Sequence, residues 1–126
     1  MLTVSQSAGE LNLNGVVYPC HMGRGDGLNN PAMQDVVKTG PLPQGWYTLG
    51  KWQDGKDYSA ADARLGPFVC RLTPDPENEM FGRDGFFIHG GNNSNPPTDS
   101  EGCIVTLPTV RHYIAQAGET RLQVTA

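Results

Sequence analysis

Glycine and proline cut this sequence into short pieces, and that punctuation decides its fold class. Sixteen glycines and ten prolines among 126 residues approach twice the average shares of about 7% and about 5%. Both residues interrupt helices and favour turns, so a helix bundle or a coiled coil is excluded. The length allows one domain, residues 1–126. The hydrophobic residues, 37% of the chain, are gathered into discrete runs with aromatic and β-branched members, which argues against disorder.

Charge narrows the partners. Nine basic residues against thirteen acidic ones give a net charge of −4, with no cluster of Lys and Arg. Nucleic acid and anionic membranes are therefore poor partners. No apolar run approaches the ~18 residues of a spanning helix, so membrane insertion is not expected. The opening MLTVSQSAGELNLNG lacks a basic start and an apolar stretch, so it does not read as a standard signal peptide.

The runs alternate as strands. Leu2–Val4, Glu10–Leu13 and Val16–Tyr18 come first, and Asn14-Gly15 between the last two is a strong hairpin signal. Trp46–Gly50, Pro67–Leu72, Gly85–His89 and Arg121–Val124 follow. Gly55–Ala63 reads as a polar surface excursion. One helix is expected after Pro108, with Val110, Tyr113, Ile114 and Ala117 at helical spacing and Gly118 as its stop. The sum is a mainly β domain with one short helix. Between the most apolar strand and that helix lies a long polar loop, GGNNSNPPTDSEG, and long loops in compact domains usually carry function.

His89 and Cys103 bracket this loop. A thiol attacks a carbonyl as thiolate, and an imidazole nearby can take its proton. The N–H groups of Gly102 and Cys103 stand where an attacked carbonyl oxygen would gain charge. Together they supply a nucleophile, a base and oxyanion donors, the minimal set for acyl transfer. The pairing predicts that Cys103 alkylates faster than a free cysteine near pH 7. The bland alternative is a buried, inert thiol.

The segment FFIHGGNNSNPPTDSEGCIVTLPTVRHYIAQAGETRLQV resembles the active-site half of an L,D-transpeptidase (YkuD-type) domain. His89-Gly90, then Ser100-x-Gly102-Cys103-Ile104, then Gly118-Glu119-Thr120 carry the likeness. Upstream, Gly40-Pro41-Leu42-Pro43-Gln44-Gly45-Trp46-Tyr47 is similar to that family's turn before a strand. Gly23-Arg24-Gly25 and Asn29-Asn30-Pro31 resemble the N-terminal loop of a compact subgroup that includes type VI secretion effectors acting on the cell wall.

The resemblance implies an L,D-transpeptidase-like β-sandwich or barrel, with the helix after the catalytic cysteine. It implies a Cys103 thioester with peptidoglycan tetrapeptide stems and release of terminal D-Ala, to water or in exchange for a D-amino acid. His89 would be the base and Ser100 would orient its imidazole by hydroxyl or carbonyl. Gly90, Asn92, Asn93, Glu101 and Arg24 would meet the substrate, although the asparagines equally suit turns. No cofactor and no metal are implied, and His21 and His112 make no zinc spacing. The site of action would be the bacterial periplasm or wall, reached by secretion or delivery, and an immunity protein is the partner such an effector implies. The rival functions are a non-catalytic module that binds wall peptides and a cysteine endopeptidase or amidase cutting another stem bond.

Two departures stand out. Glu101 replaces a histidine typical of the family, and Val105 stands where an arginine that contacts the substrate carboxylate is common. Arg24, Arg83 or Arg111 is left to replace that contact. Cys20 and Cys70 form either a bridge or two buried thiols. Trp46 is assigned to the core, and Trp52 to the surface or a cleft rim.

Overall fold

The computed structural model describes residues 1–91 and 97–126. Eight strands form one mixed sheet: β1 (Leu2–Ser5), β2 (Glu10–Leu13), β3 (Val16–Pro19), β4 (Gly45–Leu49), β5 (Cys70–Pro74), β6 (Phe86–His89), β7 (Ile104–Val105) and β8 (Arg121–Thr125). Their order is β3-β2-β1-β8-β4-β5-β6-β7. The β1–β8 and β6–β7 pairs are parallel and the rest antiparallel. A further bridge joins His21, just past β3, to Val105 in β7. It is held by His21 N–H to Val105 O at 3.0 Å and Val105 N–H to His21 O at 2.9 Å. The two ends of the sheet thus meet, and the sheet curls into a half-barrel around its core.

Local chemistry accounts for these elements. Asn14 and Gly15 both take positive φ (52° and 93°), which is what a two-residue turn matching the strand twist requires. That turn sets the register Leu13↔Val16. Alternation along β1, β2 and β8 sends Leu2, Val4, Leu11, Leu13, Leu122 and Val124 inward. Helix α1 (Pro108–Gln116) opens with proline at its first turn, where the missing N–H costs nothing. Its Val110 and Ile114 are buried in the same cluster, each contributing about 1.5–3 kcal/mol.

Two expectations need correction. Pro67–Leu72 is displaced: the strand runs Cys70–Pro74. The expected surface excursion Gly55–Ala63 is mostly exposed and is ordered as two short 3₁₀ turns, Gly55–Asp57 and Ala60–Leu65. Their Tyr58 packs edge-on against Phe87 of β6, ring centres 5.2 Å apart. The tryptophans exchange roles. Tyr47 rather than Trp46 fills the core, while Trp46 lies outward under Arg121. Trp52 packs against the core and stacks on Phe68 at 5.1 Å. Cys20, Cys70 and Cys103 are all free thiols.

Candidate active site

The parallel pairing of β6 with β7 brings the two reactive side chains to one place. Ile88 faces Ile104 and His89 faces Val105 across the pair. Ile88 and Ile104 point into the core, so Phe87, His89, Cys103 and Val105 lie on the opposite face by strand alternation. Cys103 directly precedes β7, and its Sγ accepts the Phe87 N–H at 3.3 Å. His89 and Cys103 line one cleft of about 440 Å³.

The imidazole has a defined proton arrangement. His89 is 6% exposed, and its Nδ1 lies 2.6 Å from Gly90 O. A carbonyl oxygen only accepts, so Nδ1 carries the hydrogen. In the neutral ring Nε2 is then the free lone pair. Burial depresses the His89 pKa, the Gly90 bond and Asp99 oppose that, and Arg111 and His21 add to it. The neutral form is therefore the resting one.

The thiol is neutral as well. Burial pushes Cys103 up to about 11, and Glu101 adds to the rise. The Phe87 N–H bond, Arg64 and Arg83 act in the other direction. The expectation of fast alkylation is thereby reversed, because desolvation outweighs the cations. Iodoacetamide labelling of Cys103 in the native protein should be slower at pH 7 than that of a small free thiol. The rate should keep rising past pH 9, where a free cysteine levels off. A plateau near pH 8 would contradict the neutral pair.

Of the two ways in which Ser100 was expected to orient the imidazole, the hydroxyl is engaged elsewhere. The residue is fully buried. Its hydroxyl donates to Cys103 O at 2.6 Å and accepts the N–H of Gly23 at 2.9 Å and of Gly102 at 3.1 Å. It therefore braces the nucleophile turn, and its hydroxyl contacts lie away from His89. Gly102 also differs from expectation. Its N–H is spent on Ser100 rather than pointing into the cleft. What the turn needs from Gly102 is its φ of 137° and the absence of a side chain. A β-carbon would lie 2.6 Å from the Arg83 guanidinium and 2.7 Å from the Phe86 ring.

Among the arginines, the geometry separates braces from free cations. Arg83 is 6% exposed and gives its guanidinium to four carbonyls: Gln34 at 2.6 Å, Pro41 at 2.7 Å, Gly40 at 3.0 Å and Glu101 at 2.9 Å. Arg111 donates to Pro67 O and Phe68 O. Arg24 lines the cleft, donating to Lys38 O and standing 3.9 Å from Glu101; so exposed a pair contributes little. Arg64, which carries no motif or spacing that would select it, is exposed on the same rim. Glu101 also lines the cleft, whereas Gly90 lies behind His89, in the hollows on the Arg111 side. Asn92 and Asn93 lie outside the described residues. No group of three or more metal-binding side chains occurs among the described residues.

One contact had no sequence signal. His21 Nε2 lies 2.6 Å from Asp99 Oδ1, joining residues far apart in the chain. Asp99 borders both the cleft and a second hollow of about 450 Å³ on the Arg111 side, and His89 borders both with it.

A family profile described as the Tlde1 domain matches residues 17–125. No curated protein matches the chain in sequence. Solved structures share its fold. Bd1075 of Bdellovibrio bacteriovorus matches at a TM-score of 0.60 and 17% identity, over 99% of this chain and 47% of that one. L,D-transpeptidase 1 of Mycobacterium tuberculosis matches at 0.56 and 15%, over 99% and 58%. An L,D-transpeptidase from Mycobacterium smegmatis matches at 0.56 and 16%, over the same shares. The chain thus spans about half the length of the structures it matches. The expected L,D-transpeptidase-like, mainly β fold with one short helix is the fold found.

Proposed function

The chain belongs to the Tlde1 domain family, and from that membership and the cleft we propose a peptidoglycan-acting cysteine enzyme. Cys103 is its nucleophile and His89 its base. The observation that carries this reading is Cys103 and His89 lining one cleft, with the His89 Nδ1 held by Gly90 O so that Nε2 is left for the proton. In the proposed reaction Nε2 takes the thiol proton as sulfur attacks the carbonyl of the third residue of a tetrapeptide stem. The Cys103 N–H stabilises the oxyanion. The protonated Nε2 then gives its proton to the leaving amine of D-Ala, whose C–N bond breaks to leave a thioester. Water hydrolyses the thioester, or the amine of a D-amino acid replaces D-Ala. Exposed Arg24 and Arg64 on the rim suit the stem's carboxylates. Asn92 and Asn93 are proposed to contact the stem, Glu101 an amine on it. The structural likeness to L,D-transpeptidases supports the reaction class.

Type VI effector membership supports a wall compartment of a target cell as the place of action, with an immunity protein as partner. The described residues include no helix long and apolar enough to cross a membrane.

The raised thiol pKa favours one second reading, a wall-peptide-binding module with a quiet cysteine. Digestion of purified tetrapeptide muropeptides, read by mass spectrometry, decides. Loss of one D-Ala, or its exchange for an added D-amino acid, is expected. An internal cut or release of the whole stem from the sugar would assign an endopeptidase or amidase instead, and unchanged muropeptides that bind the protein would assign the module.

A further inference from the structure

His21 and Asp99 form a hydrogen-bonded pair beside the proposed base. His21 bridges Val105, and Val105 faces His89 across β7 and β6. The three residues therefore lie side by side across three neighbouring strands, on one face of the sheet. Asp99 sits over the middle of this row. A β-carbon on Gly91 would run into the Asp99 carboxylate and, at 3.1 Å, into Val105 Cγ1. The valine is small enough to leave that space. The Asp99 side chain is only 9% exposed and is gripped by His21 at 2.6 Å, so its position beside His89 is fixed.

We propose that Asp99, held by His21, is the positioning residue that supplies the counter-charge for His89 when its imidazole takes the Cys103 proton. This rests on His89 acting as the base. The need for such a charge follows from the surroundings. When Nε2 gains the proton, a cation forms in a site that is 6% exposed and next to Arg111, whose guanidinium is itself mostly buried. Burial and a neighbouring cation both oppose that step. Asp99 is the carboxylate that favours the charged ring. The other charged groups around the cleft are Arg24, Lys38, Asp62, Arg64, Arg83, Asp84 and Glu101. They stay the same in the variants below, as do Arg111 and His21.

The test reads His89 directly, without turnover. Asp99→Asn is isosteric, and its amide oxygen can accept from His21, so that contact is kept while the charge is lost. NMR titration of the imidazole C–H resonances, with His89→Gln to assign them, should show the His89 midpoint at lower pH in Asp99→Asn. Asp99→Glu should restore it toward wild type. On muropeptides, Asp99→Asn should lower kcat about tenfold per pH unit of that displacement, with KM changed less than about twofold. The acid limb of its pH profile should move the same way as the NMR midpoint. A His89 midpoint equal in wild type and Asp99→Asn would overturn the proposal, whether or not the protein turns over. Loss of the base role would instead appear as full activity in His89→Gln with the Asp99 effect on titration intact.

Discussion

Cys103→Ala should abolish removal of terminal D-Ala from tetrapeptide muropeptides, a loss on the order of 10³-fold or more for a nucleophile. The sulfur makes the bond to the stem carbonyl, and alanine has nothing to put in its place. The same variant should fold, because Cys103 is only half-buried and its Sγ receives a single weak bond from Phe87 N–H. Substrate binding should persist, so Cys103→Ala becomes a trap for the intact stem. His89→Ala should cost about 10²–10⁴-fold, the usual range for a general base. The double variant should be no worse than Cys103→Ala alone, since the two act in one step. If both single variants trim the muropeptide as fast as wild type, the catalytic assignment fails. Intact-protein mass spectrometry adds a positive readout: a stalled thioester should appear on Cys103 and vanish in Cys103→Ala.

The second large effect is on stability. Arg83→Met removes five donors from a buried site and leaves the carbonyls of Gln34, Gly40, Pro41 and Glu101 facing an apolar chain. Unpartnered buried acceptors are costly, and the loss should be about 3–5 kcal/mol. Against a typical total of about 5–15 kcal/mol that is a large share. Urea unfolding should show it as a lower midpoint at an unchanged slope. Arg83→Lys should recover only a minor part, because an ammonium cannot reach four carbonyls spread across a planar fork. A loss under roughly 1 kcal/mol would mean that water satisfies these carbonyls instead.

How much was legible beforehand follows from the range of the interactions. The Asn14-Gly15 hairpin, the inward residues of β1, β2 and β8, and α1 from Pro108 were all readable, because turn chemistry and periodicity are local. Cys103 and His89 were readable because residue type and motif spacing carry them. The wall built from Gly55–Leu65 was not, since short 3₁₀ turns leave little periodicity in a polar stretch. Arg64 on the cleft rim shares that cause. Ser100 and Gly102 were picked out, but their hydrogen bonds go to the turn itself, and spacing cannot show where a hydroxyl or an N–H points. The exchange between Trp46 and Tyr47 turned on strand parity: a shift of one residue reverses the face. His21 with Asp99 was invisible for a stronger reason, because that contact depends on where the two ends of the sheet meet.

That meeting also bears on how fast the chain can fold. His21 bridges Val105 across more than eighty intervening residues, and the closing strand β8 must insert between β1 and β4. Contacts of such sequence separation carry the entropy of closing long loops, which slows folding. The cleft lies between residues that this closure brings together, so a chain in which it is open holds its cysteine and histidine without an assembled site. An assembled site is thus a property of the closed half-barrel, reached only once the first twenty residues have returned to meet the last third.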